Sequence, residues 1–358
     1  MSEAGTGKAE AGEPLAAIFQ RLIASTGPIS LMHYMGESNA RYYASRDPLG
    51  AAGDFVTAPE ISQMFGELVG LWLADVWIRA GREEPVHYVE LGPGRGTLAK
   101  DALRAMKRYG LEPSIHLVEG SVVLRDVQQA GVPGAQWHYD LSTLPPYGPM
   151  LVVANEFLDA LPVRQLVRTE EGWRERMVVP GEDGGFVCVA GSQPMDAAVP
   201  ELRRAAAPGT IIETCPGAAA TVYEVAGRLI EQGGAALFID YGHDAVRDGS
   251  TLQAVRSHLK VDPFAQPGEA DLTAHVDFAS LALIAQSRGC QWLGTAPQGR
   301  WLRELGIEAR AEALAATAPE HAAAIHAAKD RLIGEGQMGL LFKVMGLAAP
   351  GWPGGAGF

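Results

Sequence analysis

The feature that most constrains this chain is an alternation that begins near residue 85. Apolar or β-branched runs at 86–91, 115–118, 150–154, 211–213 and 235–239 take turns with helix-periodic runs at 98–108, 121–130 and 217–232. A parallel strand needs a crossover to reach its neighbour, and the crossover helix covers the sheet. The alternation therefore predicts an α/β fold, a Rossmann-like parallel sheet with helices on both faces. Between 162 and 189, strand-like pieces at 164–167, 173–179 and 185–189 stand among Gly-rich turns and read as a β-hairpin insertion. Upstream, helical spacing covers 15–26 and 61–80, with a short helix at 30–35 and an irregular stretch at 36–59. Downstream, 243–273 reads as irregular, 276–287 and 309–316 as helices, and 339–345 as a closing strand. The expected division is a disordered tail (1–14), a helical and loop segment (15–82), a catalytic domain (83–346) and a flexible tail (347–358). The domain would carry the insertion at about 163–208 and a helical lid at about 243–335.

The sharpest local signal is Glu90-Leu91-Gly92-Pro93-Gly94-Arg95-Gly96-Thr97, where the first strand meets the first helix. Glycines there let a ligand approach the backbone, and the helix N-terminus offers free N–H groups. The spacing is GxGxG rather than the GxGxxG of dinucleotide binding, and an acid stands two places before the first glycine. Glu90 disfavours a pyrophosphate, and with it an NAD-dependent enzyme. It suits a ligand with an ammonium and a sulfonium, such as S-adenosyl-L-methionine. Glu119 follows the next strand, where an acid accepts ribose hydroxyls. Asp140, with Leu141 beside it, follows 136–139 and is placed to meet an adenine; alone it reads equally as a turn residue.

Asn155-Glu156-Phe157-Leu158-Asp159 follows the run at 150–154. Ligands sit past the carboxyl ends of strands in open α/β sheets. If a helical turn follows, Glu156 and Asp159 share a face and form a two-carboxylate clamp for a guanidinium, while Asn155 faces the cofactor. The alternative is a helix start whose acids complement the dipole. Thr57 and Glu60 fit a capping box. Glu213 and Tyr241 end strands expected to point at the same cleft. His275 and Asp277 precede a helix, which Asp277 alone would cap.

Several blocks together resemble one family. They are Gly53-Asp54-Phe55-Val56-Thr57-Ala58-Pro59-Glu60, the Glu90–Leu98 turn, Asn155 to Pro162, Asp240-Tyr241-Gly242, Thr251-Leu252-Gln253 and Asp271-Leu272-Thr273-Ala274-His275-Val276-Asp277-Phe278. In this order, over residues 15–345, they resemble the MidA-like class I S-adenosyl-L-methionine-dependent methyltransferases. One mitochondrial member of that family methylates an arginine of a respiratory complex I subunit. The resemblance implies a cofactor site at Glu90, Gly92, Gly94, Gly96, Glu119, Asp140, Leu141 and Asn155, and catalysis by Glu156 and Asp159. It implies substrate contacts at Asp54, Phe55, Thr57, Glu213, Tyr241, His275 and Asp277. The chain departs from the pattern at Arg41, where glycine is expected before Tyr42-Tyr43. Another protein, peptide or small-molecule substrate, or an assembly factor without turnover, stays open at this point.

Composition bears on partners. Forty-two acidic against 29 basic residues leave a formal charge of −13, which argues against a nucleic-acid-coating protein and for a cationic, arginine-bearing protein client. Cys188, Cys215 and Cys290 are far apart and make neither a disulfide framework nor a metal motif. With no apolar run near the ~18 residues of a membrane span and no leader composition in the first residues, the sequence reads as a cytoplasmic protein.

Overall fold

The computed structural model of the protein describes residues 13–45 and 56–358. Most of the expected N-terminal tail and the residues Gly53, Asp54 and Phe55 lie outside them. Among the described residues the central sheet has a main path of seven strands, β1 (His87–Leu91), β2 (Ser114–Val118), β3 (Gln136–His138), β4 (Met150–Asn155), β5 (Gly234–His243), β6 (Gln291–Pro297) and β7 (Phe342–Ala348), and a short eighth strand, Val276–Asp277, pairs parallel with the end of β5. The seven lie in the order 3-2-1-4-5-7-6. Strands β1 to β5 are parallel, and β7 runs antiparallel between β5 and β6. Every residue of β1 and β4 is buried, which is why both read as continuous rather than alternating apolar runs. The Rossmann-like α/β sheet is therefore present, and its order reverses between β1 and β4, the switch point where such sheets bind ligands.

Helix Thr97–Lys107 returns from β1 and packs on Gln63–Arg79. A Cβ on Gly70 would lie 2.3 Å from the Ala102 carbonyl oxygen, so the two backbones touch only because residue 70 is glycine.

The run at 211–213 does not join the central sheet. Ile211–Thr214 pairs antiparallel with Arg164–Thr169, in a second sheet with Gly172–Pro180, Phe186–Pro194 and Ile29–Ser30. An isolated apolar strand carries no mark of which sheet will hydrogen-bond it. Leu31–Ser45 is one helix, longer than 30–35, and takes in part of the expected loop. Gly36, Ser38 and Asn39 look like loop residues, but a bond within the helix holds Ser38 and tertiary bonds hold Asn39. The Ser38 hydroxyl donates to the Tyr34 carbonyl at 2.7 Å, and the Asn39 amide donates to Ala160 (2.9 Å) and Leu272 (2.8 Å). Within 243–273, expected to be irregular, Gln253–Arg256, Leu259–Val261 and Asp271–Thr273 form a small antiparallel sheet. Strand β6 and the helices Gln298–Glu304 and Ala322–Ile333 were not apparent from periodicity. The C-terminal residues are no loose tail: the Trp72 indole donates to the Ala356 carbonyl at 3.1 Å, and Phe358 sits edge-on to its ring at 6.1 Å.

Strands β1, β2 and β3 each contribute a buried histidine to one hydrogen-bonded row. His87 Nδ1 lies 3.0 Å from His116 Nε2, His116 Nδ1 3.0 Å from His138 Nε2, and His138 Nδ1 2.9 Å from Thr143 Oγ1. Between neutral rings each contact pairs one donor with one acceptor; an added proton would set donor against donor. Burial pushes all three rings down, His116 to about 4, with the charges of His87 and His138 adding to the effect there. The unfolded chain takes up these protons below about pH 6.5 while the folded one resists, so this stability is full above that pH and lost as pH falls toward 4. Between pH 7.5 and 5.5, the lead in unfolding free energy of the native chain over a His116→Gln variant shrinks by about 1.4 kcal/mol. Urea titrations at the two pH values measure it; an unchanged lead would mean that His116 titrates normally.

Candidate active site

Past the carboxyl ends of β1, β2 and β4 lies a cavity of about 900 Å³. Its floor is the glycine turn. Gly92, Gly94 and Gly96 have φ of +63°, +55° and +77°, values that L side chains rarely adopt. The turn is tied by Gly92 N–H to the Val118 carbonyl (3.0 Å) and Gly96 N–H to the Pro93 carbonyl (2.8 Å). Gly92 and Gly94 line the cavity; Gly96 does not. Gly96 instead starts helix Thr97–Lys107 and lets it close on Val132, whose Cγ2 would be 2.9 Å from a Cβ there.

The walls are acidic: Glu60, Glu90, Glu119, Asp140, Glu156 and Glu224 line the cavity, against Arg95 as the basic lining residue among those described. Glu90 is buried in β1 and accepts the Tyr88 hydroxyl at 2.5 Å. Burial pushes its carboxyl up to about 8, against the pull of that hydrogen bond. Glu119 accepts the Ser121 N–H at 2.7 Å and the Gln128 amide at 3.3 Å; burial raises it despite them. Asp140 is exposed, accepts the Ser142 hydroxyl and N–H, and is lowered by those bonds. Leu141 stands beside it on the wall.

Asn155 ends β4, and Glu156 turns the chain at φ +50°, a left-handed conformation costly for a residue with a side chain. The Glu156 N–H is held by the Ile239 carbonyl at 2.8 Å. Its carboxylate accepts from Ala58 N–H (2.9 Å) and from the Asn155 amide (3.2 Å). Burial raises it to about 7, with the neighbouring Asp159 charge acting in the same direction. Asn155 Oδ1 is buried without a partner among the described residues, an acceptor suited to a ligand ammonium.

Asp159 does not join Glu156 on the wall. The left-handed Glu156 breaks the helical turn that an i, i+3 clamp requires. The Asp159 carboxylate instead bonds the Tyr241 hydroxyl, and burial pushes it up to about 6. Asp240 underpins the turn by accepting the N–H groups of Leu158 (3.0 Å) and Asp159 (3.2 Å). Burial, with the charges of Asp159 and Glu156, holds Asp240 well above its usual range.

Thr57 lines the cavity but makes no capping bond, and Glu60 accepts the Thr97 hydroxyl, so the capping box does not form. Asp54 and Phe55 lie outside the described residues. Four expected substrate residues are elsewhere. Glu213 bonds Gln165 and Thr251, because its strand belongs to the second sheet. Tyr241 faces Asp159. Asp277 caps helix Phe278–Ser287 through the Ser280 N–H at 3.1 Å. His275 packs on the Tyr241 ring at 5.5 Å and lies 3.3 Å from Arg247; burial, then the charges of Arg247 and other nearby cations, push it down to about 4. Tyr43 and Asn39, which are not among the expected site residues, line the cavity from helix Leu31–Ser45. The Tyr43 hydroxyl donates to Asp271 at 2.7 Å, a contact between residues 228 positions apart that no local pattern announces.

Residues 68–296 match the family described as "Putative S-adenosyl-L-methionine-dependent methyltransferase". The chain is 37% identical to the mitochondrial protein arginine methyltransferase NDUFAF7 of Mus musculus, over 87% of this chain and 77% of that protein. It is 37% identical to the NDUFAF7 homolog of Drosophila melanogaster, over 95% and 86%. It also resembles the crystal structure of a Burkholderia thailandensis protein bound to S-adenosyl-homocysteine, with a TM-score of 0.81, 30% identity and coverage of 96% and 93%. The cytoplasmic reading is corrected by these relatives, which are named as mitochondrial proteins. The three free cysteines fit a reducing environment, and that is not particular to the cytoplasm. Among the described residues no helix is long and apolar enough to cross a membrane.

The floor of the cavity is testable by itself. A Cβ on Gly92 would fall 2.7 Å from Phe157 Cδ2, in a backbone conformation that already disfavours it. Gly92→Ala is expected to cost about 1–3 kcal/mol of stability, read by urea unfolding. Native-like stability would show that Phe157 gives way freely.

Proposed function

The chain belongs to the family of S-adenosyl-L-methionine-dependent methyltransferases, and from that membership we propose that it methylates a guanidinium nitrogen of an arginine in a protein client. The observation that carries this reading is Glu156: a half-buried carboxylate, set in a strained turn, lining the same cavity as the glycine turn. The relatives named as protein arginine methyltransferases support the choice of side chain. A respiratory complex I subunit is the client that the family resemblance implies.

The residues present fit the cofactor. Gly92 and Gly94 would cradle it, Glu119 would accept from its ribose, Asp140 and Leu141 would meet its adenine, and Glu90 and the unpaired Asn155 oxygen would face its cationic end. When bound, S-adenosyl-L-methionine supplies a methyl group made electrophilic by the attached sulfonium. The chain's part is to orient the nucleophile and take its proton. An arginine guanidinium is protonated in water, and its lone-pair density is spread over three nitrogens. With Oε1 held by Ala58 N–H and the Asn155 amide, Glu156 would accept the guanidinium N–H groups through Oε2, orient it and draw density toward the nitrogen that faces the methyl. The proton released on methylation would pass to the Glu156 carboxylate. A carboxyl near 7 both accepts and releases a proton at neutral pH. Phe157, Pro93 and Leu161 supply apolar wall that keeps water away. Asp159 and Asp240 hold the turn from behind, and Thr57 is retained as a substrate-side contact.

Glu156→Gln should reduce methyl transfer at least 100-fold and leave S-adenosyl-homocysteine affinity within threefold of native. Mass spectrometry of a client incubated with labelled cofactor, paired with calorimetry, measures both. Native turnover in the variant would remove Glu156 from the mechanism.

Glu90 generates a second expectation. Below pH 8 its burial keeps the carboxyl largely protonated, whereas a cationic ligand favours the ionised form. Binding then releases a proton, and affinity rises with pH by up to tenfold per unit below about 8. From pH 6.5 to 7.5, native affinity for S-adenosyl-L-methionine should rise relative to a Glu90→Gln variant. Parallel pH profiles would place Glu90 away from the cation.

A further inference from the structure

Helix Val122–Gly131 returns from β2 and sends one polar side chain, Gln128, into a fully buried position. The orientation of its amide is decided by its neighbours. The Trp137 indole N–H can only donate, and it lies 2.8 Å from Gln128 Oε1. The Gln128 NH2 therefore faces two acceptors, the Gly94 carbonyl at 2.7 Å and Glu119 Oε2 at 3.3 Å. All the donors of this amide are used, and each partner belongs to a different βα segment. Gly94 lies in the turn after β1, Glu119 follows β2, and Trp137 is in β3. Gly94 and Glu119 line the cavity, and Gln128 does not.

We propose that Gln128 is a positioning residue for the cofactor: it sets the spacing between the glycine turn and Glu119 and orients the Glu119 carboxylate. This rests on the reading of Glu119 and the glycine turn as cofactor contacts. Glu119 has its other oxygen fixed by the Ser121 N–H at 2.7 Å, so the Gln128 bond completes a two-point hold on the carboxylate plane. A carboxylate held at both oxygens loses little rotational freedom on meeting a ribose, which is how preorganisation raises affinity. The amide is specific to the task. A glutamate at 128 would have no N–H for Gly94 and would set a like charge beside Glu119. A methionine would fill the same volume with no hydrogen bond and would leave the Gly94 carbonyl and the Trp137 N–H buried and unpaired.

The test uses the full chain, with S-adenosyl-homocysteine as the probe in calorimetry and initial rates on a protein client. Gln128→Met should weaken binding of the probe at least tenfold and raise KM for S-adenosyl-L-methionine in step, while KM for the client stays within twofold. In a double-mutant cycle with Glu119→Gln, the combined loss should fall well short of the product of the two single losses, because Gln128 acts through Glu119. If Gln128→Met does not fold, Trp137→Phe frees the amide to turn and should weaken the probe severalfold with the same KM split. Native probe affinity in Gln128→Met, or in Trp137→Phe where that variant stands in, overturns the proposal. So do fully multiplicative losses, or equal rises in both KM values. If Glu119→Gln alone binds the probe natively, the cofactor reading itself fails; if it weakens the probe and Gln128→Met does not, only the role of Gln128 falls.

Discussion

The pairing of β1 with β4 is the constraint on which the site depends. Both strands are wholly buried, and their register sets Glu90 beside Val153 and Leu91 beside Ala154. A shift by one residue would turn every side chain to the opposite face of the sheet. With this register, the two strands end together. The turn after β1 and the turn after β4 then meet, Gly92 against the Phe157 ring. The glycine is needed because the ring is there, and the ring is there because the strands are aligned. The cavity floor and Glu156 are thus parts of one packing solution.

That solution buries carboxyl groups that water would otherwise keep ionised. Glu90, Glu156, Asp159 and Asp240 are all raised, with desolvation as the leading cause in each. Such groups are costly to ionise, and for Glu90 and Glu156, which line the cavity, a cation placed there would relieve that cost. The arrangement sets stability against function. A cleft whose carboxyls resist ionisation until a cation arrives is one that a sulfonium and a guanidinium would both complete. The −13 charge of the chain is consistent with this, but the relevant acids are few and lie at strand ends.

Much of this was legible beforehand where the signal was local. The strands at 86–91, 115–118 and 150–154, the glycine turn and the acid after β2 all announce themselves within a dozen residues. Other elements depended on distant partners. Leu31–Ser45 continues through Gly36 and Asn39 because Ala160 and Leu272 accept the Asn39 amide. Ile211–Thr214 joins the second sheet because Arg164–Thr169 offers it an edge. Glu60 looked like half of a capping box, yet its carboxylate reaches Thr97.

By itself, the sequence determined the parallel α/β class, the place of the glycine turn and the acids that flank it. These follow from periodicity and from backbone conformations that glycine adopts at least cost, both properties of short segments. Tertiary structure alone decided which acids share the cavity. Glu156 faces it while Asp159, three residues on, turns to Tyr241, because the left-handed Glu156 breaks the helical spacing that would align them. It also decided that Glu213 and His275 lie elsewhere and that Tyr43 and Asn39 form a wall. Side-chain direction past a strand end is set by packing against chain far away in sequence, and no local pattern carries that information.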